Sequence, residues 1–279
     1  MTLPTIRIFI SPCRSGSTAF MQSLNQSPYI HCFYQPVKEG IREGLGPDYR
    51  FFDGSHPSFF SNPGKTFFAK EVLGHIYPEE CCFQIFPDRD AIDRSRPLFL
   101  LREPIATWSS WKKCKAAGKQ GWVGVCDLEI FKLAYKYTYD RFIESRKVSK
   151  QVTCLTREHL LKAPEQIFQQ ICHCWEIPFI KEMISWTQPF DVNSFTCGKP
   201  LEFFNRIQHK DIRESMSFYR VENNKDRDQE KLVTLVEQKE IKSSLQPLYE
   251  DFSNWCQEYY PLKSENNEES SKEQRINTI

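Results

Sequence analysis

Arg14, Ser15, Gly16, Ser17 and Thr18 stand in unbroken succession between a β-type run and a helix-type run. A strand-to-helix junction points the free N–H groups of the first helical turn at one spot, where the helix dipole also favours negative charge. Gly16 removes side-chain bulk there, Ser15, Ser17 and Thr18 add hydroxyl donors, and Arg14 adds a fixed positive charge. This is the chemistry of anion binding. A second junction carries Arg102 at the end of an apolar run and Ser110 eight residues later. The planar fork of Arg suits a phosphate, and a serine on a helix face adds a neutral donor. Lys70 and Glu71 close a third apolar run, with His75 one turn later.

The elements that must position these groups are legible in order. Ile6, Ile8 and Ile10 suit a buried strand, and Phe20, Met21 and Leu24 recur at helical spacing behind the loop. Tyr29 to Tyr34 reads as a second strand, closed by Gln35 and Pro36 with a loop beyond. Gly44 to Gly64 is rich in Gly, Pro and Ser yet carries Phe51, Phe52, Phe59 and Phe60, which suggests a lid or acceptor wall beside plain packing on a sheet. Thr66 to Glu71 is a short third strand. Pro87 to Arg94, dense in Asp and Arg, reads as a turn. Pro97 to Leu101 has the continuous apolar character of a strand buried on both faces, and Pro104 fits the first turn of the helix after it. Asp127 to Arg146 is a long amphipathic helix, and Gln151 to Leu155 is the last clear strand. Glu165 to Trp175, Glu230 to Leu245 and Leu248 to Tyr260 read as helices.

The first loop departs from the triphosphate-binding motif G-x-x-x-x-G-K-S/T. Aligned on Gly16 and Thr18, its first Gly is Ser11 and its Lys is Ser17, so the cation has moved to Arg14 inside the loop. The fourth strand ends in Arg102 where an ATPase would place a magnesium-holding Asp. Both departures count against a kinase or NTPase. A serine-rich N-cap beside an exposed Arg has the same local spacing. Arg102 paired with Glu103, or Ser110 as an exposed helix serine, would each be unremarkable singly.

Together the two junctions resemble the sulfotransferases that use 3′-phosphoadenosine 5′-phosphosulfate (PAPS). Their first loop follows P-x-K/R-S-G-S/T-T, matched by Pro12 to Thr18, and a strand-end Arg with a Ser on the following helix is their second signature. Thr156 to Glu165 and Ile177 to Trp186 are similar to the family's YEDLLKDPE and GIPF…MLSW stretches, so the resemblance spans roughly residues 5 to 186. It implies a three-layer α/β/α fold with a central, mostly parallel sheet, P-loop NTPase-like, and one domain over 1–262 followed by a disordered polar tail over 263–279. It implies that Arg14, Ser15, Gly16, Ser17 and Thr18 hold the 5′-phosphosulfate and that Arg102 and Ser110 hold the 3′-phosphate. Arg157 stands where an aromatic residue often lies near the adenine or 3′-phosphate. Lys210 and Arg213 are further candidate cofactor contacts. No metal is required by the motif.

The catalytic base departs from the pattern. Some carbohydrate sulfotransferases place a Glu before the Pro that ends the second strand, but here that residue is Gln35, an amide that takes no proton at neutral pH. Phenol-type members use a His in a K-T-H sequence, whose Lys matches Lys70. The candidates are therefore Lys70 and Arg14 at the transferring group, Glu71 or His75 as base, and Glu39 third. Glu71 paired with Lys70 or Arg14 is the structural alternative.

Composition sets the outer bounds. A formal charge of +1 over 279 residues gives no general attraction to nucleic acid or membrane, so the partner is a small-molecule acceptor. No apolar run reaches membrane-spanning length, and the N-terminus has no secretory pattern. Eleven cysteines, an odd number with Cys81 and Cys82 adjacent, do not look like a disulfide framework and point to a reduced, cytoplasmic protein. A non-catalytic nucleotide-binding or scaffold protein is the alternative function. The acceptor and the oligomeric state are not written in the sequence.

Overall fold

The computed structural model describes residues 3–74, 78–118, 126–191, 194–197, 216–218 and 232–262. Five strands, β1 (Ile6–Pro12), β2 (Ile30–Tyr34), β3 (Thr66–Leu73), β4 (Leu98–Leu101) and β5 (Thr153–Thr156), form one sheet in the order β2-β3-β1-β4-β5. Every pairing is parallel. Helices cover both faces, giving a three-layer α/β fold. Each parallel pair needs a crossover connection, and the helices supply these and bury the sheet. All seven residues of β1 and all four of β4 are accordingly buried.

On one face α1 (Ser17–Asn25) packs through Phe20, which stacks on Phe9 at 4.6 Å and on Phe168 of α9 (Pro164–Trp175) at 5.1 Å. On the other face α7 (Leu128–Val148) buries Phe131, Ala134, Tyr135, Thr138 and Phe142, the stripe that its period predicts. Phe142 meets Phe99 of β4 edge-on at 5.9 Å. Each such aromatic contributes on the order of 2–3 kcal/mol by leaving water. α10 (Leu235–Ser244) and α11 (Gln246–Tyr259) close the β5 side. Among the described residues no helix is long and apolar enough to cross a membrane. None of the eleven cysteines forms a disulfide.

Two sequence expectations are corrected. Gln35-Pro36 opens helix α2 (Pro36–Arg42), with Pro36 in its first turn, where the missing N–H costs nothing. The expected turn from Pro87 to Arg94 leads into α5 (Arg89–Ser95), started by Asp88, whose side chain accepts from the Ala91 amide at 2.7 Å. The segment from Gly44 to Gly64, read as sheet packing or as a lid or acceptor wall, contains two short helical turns, α3 (Arg50–Asp53) and α4 (Ser58–Ser61). Phe51, Phe52 and Phe59 are buried there, and Phe59 meets Phe67 at 4.4 Å, so these rings pack the sheet edge.

β1 is central, with β3 on one side and β4 on the other, so the chain changes direction across the sheet at β1. Open α/β sheets bind ligands outside the carboxyl edge at such a switch point. The Arg14 loop leaves β1 at that edge. α6 (Pro104–Ala116) and α8 (Arg157–Lys162) start at the same edge, directly after Arg102 and Thr156.

Candidate functional site

The loop between β1 and α1 is a fixed cradle. Cys13 continues the parallel pairing by donating its amide to the Leu73 carbonyl at 2.9 Å. Its own carbonyl accepts from Nε1 of Trp111 on α6, also at 2.9 Å. The backbone then takes positive φ at Arg14 (70°) and Gly16 (101°). Gly16 is the N-cap of α1 and no side chain caps the helix, so the first-turn amides have no acceptor within it. Ser15 Oγ is buried and has no hydrogen-bond partner among the described residues. A cradle of amides with an orphaned hydroxyl fits an anion with several acceptor oxygens.

The second junction converges on the first. Arg102 Nη1 donates to the Arg14 carbonyl at 3.3 Å, and Arg14 Nε donates to Ser110 Oγ at 3.2 Å. Arg102 is held from behind, since its carbonyl accepts from the Tyr135 hydroxyl at 2.9 Å. Glu103 does not act as a surface counter-ion: its carboxylate caps α6 through the amides of Ile105 (3.1 Å) and Ala106 (2.6 Å). Arg157, at the start of α8, covers the loop. A Cβ built on Gly16 would stand 3.5 Å from Arg157 Cδ. Arg14, Ser15, Gly16, Arg102, Ser110 and Arg157 therefore form one cluster.

Thr18 joins it from α1 and Lys70 from β3. Lys70 Nζ donates to Thr18 Oγ1 at 3.0 Å and lies 3.8 Å over the Tyr34 ring, which also stacks on Phe195 at 5.8 Å. Burial pushes the Lys70 ammonium down to about 7, with nearby Cys13 opposing and Lys38 assisting. An anion arriving at the loop would favour its charged form.

Glu71 points the other way, because successive strand residues face opposite sides of the sheet. Glu71 neither pairs with Lys70 nor reaches Arg14 in the hydrogen-bond pattern; its Oε1 accepts from the Val37 amide at 2.7 Å, at the start of α2. Its Oε2 is buried without a partner among the described residues. Burial pushes this carboxyl up to about 7, against the pull of the Val37 amide, Lys38 and Arg42. Gln35, the N-cap of α2, holds φ 55° and donates its amide to the Lys70 carbonyl at 2.8 Å. Glu39 lies further along α2, its carboxyl raised by burial and by Glu43 and Asp48. His75, Lys210 and Arg213 lie outside the described residues, as does the polar tail.

Sequence reasoning missed the support behind the cradle. Lys38 is fully buried, donating to the Gly74 carbonyl at 2.9 Å and pairing with Glu80 at 2.8 Å. Arg42 grips both oxygens of Glu80, at 3.0 and 3.1 Å. Burial disfavours the Glu80 carboxylate, but these two cations outweigh it and hold the group at about 2. The i, i+4 spacing of Lys38 and Arg42 was the available signal, hidden while Pro36 read as the start of a loop.

No family model and no curated protein matches the chain. Among solved structures it is similar to a sulfotransferase domain from the curacin biosynthetic pathway, at 15% identity and TM-score 0.48 over 88% of this chain and 99% of that one. A mouse sulfotransferase, SULT7A1, complexed with PAP, is similar at 13% identity and TM-score 0.49 over 91% and 87% of the two chains. The sulfotransferase domain of the Synechococcus PCC 7002 olefin synthase is similar at 14% identity and TM-score 0.47 over 88% and 96%. Likenesses of this depth concern the course of the chain and carry nothing about its chemistry.

Proposed function

We propose that this chain is a sulfotransferase that moves a sulfuryl group from PAPS to a hydroxyl, or an amine, of a small acceptor. The observation that carries this reading is the contact of Arg14 with both Ser110 and Arg102, which makes one anion site of two strand-to-helix junctions. A donor with phosphate groups at both ends of a ribose needs two such places side by side. The loop amides with Ser15, Ser17 and Thr18 would take the 5′-phosphosulfate, and Arg102 with Ser110 the 3′-phosphate. Arg157 lies over Gly16, and its planar guanidinium would offer a face for the adenine to stack on.

In the reaction the acceptor atom attacks sulfur in line, the bond from sulfur to the bridging phosphate oxygen breaks, and adenosine 3′,5′-bisphosphate leaves. Arg14 and Lys70 would stabilise the negative charge that grows on the bridging oxygen and the sulfuryl group, and Glu71 or His75 would take the acceptor's proton. This chemistry relies on positioning and charge, as in phosphoryl transfer. An odd number of cysteines, with Cys81 and Cys82 adjacent, supports a cytoplasmic setting.

A non-catalytic PAPS-binding protein is the second reading, favoured by the use of Glu71 as a helix cap. Incubation with sulfur-labelled PAPS and a pool of cell metabolites, followed by mass spectrometry, separates the two. Label on a small molecule supports the enzyme; tight PAPS binding with no transfer supports the binder. Magnesium-dependent ATP hydrolysis would instead revive an NTPase.

A further inference from the structure

The buried charges under α2 are arranged asymmetrically around two carboxylates. Glu71 and Glu80 are both fully buried, and both lie against the first turns of α2. The charged groups acting on Glu71 are Lys38 and Arg42 of α2 and, from its own strand, Lys70. Yet neither α2 cation hydrogen-bonds Glu71. Lys38 Nζ goes to Glu80 Oε2 and the Gly74 carbonyl, and Arg42 Nε and Nη2 go to Glu80. Glu71 receives a backbone amide on Oε1, while its Oε2 has no partner among the described residues. Among the described residues, the Cys13 thiol, donating to the Gly74 carbonyl at 3.0 Å, and the Cys81 thiol and Tyr34 hydroxyl are further titratable groups that act on this network.

We propose that Glu80 is a positioning residue that draws Lys38 and Arg42 away from Glu71 and so leaves Glu71 Oε2 open to a proton. A carboxylate directly paired with an ammonium or guanidinium gives up its proton early and makes a poor acceptor. Desolvated and paired only with amides, the same group becomes basic enough to work near neutrality. The inference rests on the reading of Glu71 as the base, and its test uses a readout independent of transfer.

The infrared carboxyl band of Glu71, identified by its loss in Glu71→Gln, is titrated in the full-length wild type, in Glu80→Gln, and in Lys38→Met/Arg42→Met/Glu80→Leu. The pH profile of sulfuryl transfer is recorded in parallel. In Glu80→Gln the freed cations fall back on Glu71, and its midpoint drops by about one pH unit or more. In the triple variant both cations are gone as well, and the midpoint stays at or above that of the wild type. A buried ionic triad replaced by apolar residues of similar size commonly keeps the fold, so the triple variant stands as a test even where Glu80→Gln does not fold. An unchanged midpoint in Glu80→Gln, or a fall in the triple variant, overturns the proposal. Label transfer from PAPS decides the functional reading separately, because the band titrates whether or not transfer occurs.

Discussion

Arg14 and Ser110, 96 residues apart in the chain, meet through a 3.2 Å hydrogen bond from Nε to Oγ. The contact ties the loop after β1 to the helix after β4. Arg102 reinforces the tie by donating to the carbonyl of Arg14. The guanidinium of Arg14 thus lies between the loop after β1 and the helix after β4.

Arg14→Ala is expected to lower turnover more than it weakens binding of adenosine 3′,5′-bisphosphate. The charge that grows during transfer lies on the group that the bisphosphate lacks. Turnover should fall by roughly a hundredfold or more, with bisphosphate affinity down by about tenfold. Single-turnover kinetics with parallel calorimetry checks the split, and matching losses would reduce Arg14 to a binding residue.

Glu71→Gln keeps the acceptor for the Val37 amide and removes the proposed base. With Glu71 at about 7, transfer by the wild type should rise with pH through that value, and the variant should lose roughly a hundredfold in rate. The sign for stability is opposite. The folded chain holds this proton up to about 7 while an ordinary carboxyl releases it near 4.5, so stability falls as pH rises through that window. Urea midpoints measured across the window should show a slope in the wild type that is smaller in Glu71→Gln. A parent rate in the variant at every pH would place the base elsewhere.

Gly74→Ala should destabilise the fold and loosen the loop together. Gly74 holds φ 80°, and a Cβ there would stand 2.8 Å from Cη2 of Trp111, the residue whose Nε1 supports the Cys13 carbonyl. A positive φ alone costs a non-glycine residue about 1–2 kcal/mol, so a loss of about 2 kcal/mol or more is expected once Trp111 must also move. Urea unfolding reads the loss directly, and an unchanged midpoint would contradict the packing described.

Much of the fold is legible in the sequence because it is written in periods. Ile6, Ile8 and Ile10 predict β1, the apolar run to Leu101 predicts β4, and the apolar residues from Ile130 to Tyr137 predict α7, of which Phe131 and Ala134 are buried and Leu133 is exposed. The loop from Arg14 to Thr18 was legible because strand, glycine and hydroxyls fall in a fixed local order. What was hidden depends on long-range contact. No spacing rule brings Trp111 to Cys13, Arg157 over Gly16, or Lys38 under Gly74. The alternation of β3 was available, however, and it separates Lys70 from Glu71 onto opposite faces, so their adjacency in sequence is not adjacency in the site. Pro36 misled for a simple reason: the residue that ends a strand is also well suited to begin a helix.

The central claim is that the two junctions read a nucleotide with phosphate at both the 5′ and 3′ positions. Calorimetric titration with adenosine 3′,5′-bisphosphate and with AMP, in the wild type and in Arg102→Ala, tests it most directly. A charge-assisted phosphate contact is worth on the order of 1.5–3 kcal/mol, so the bisphosphate should bind at least about tenfold more tightly than AMP. Arg102→Ala should erase most of that difference while leaving AMP affinity nearly unchanged. Equal affinities of the wild type for the two nucleotides would contradict the account.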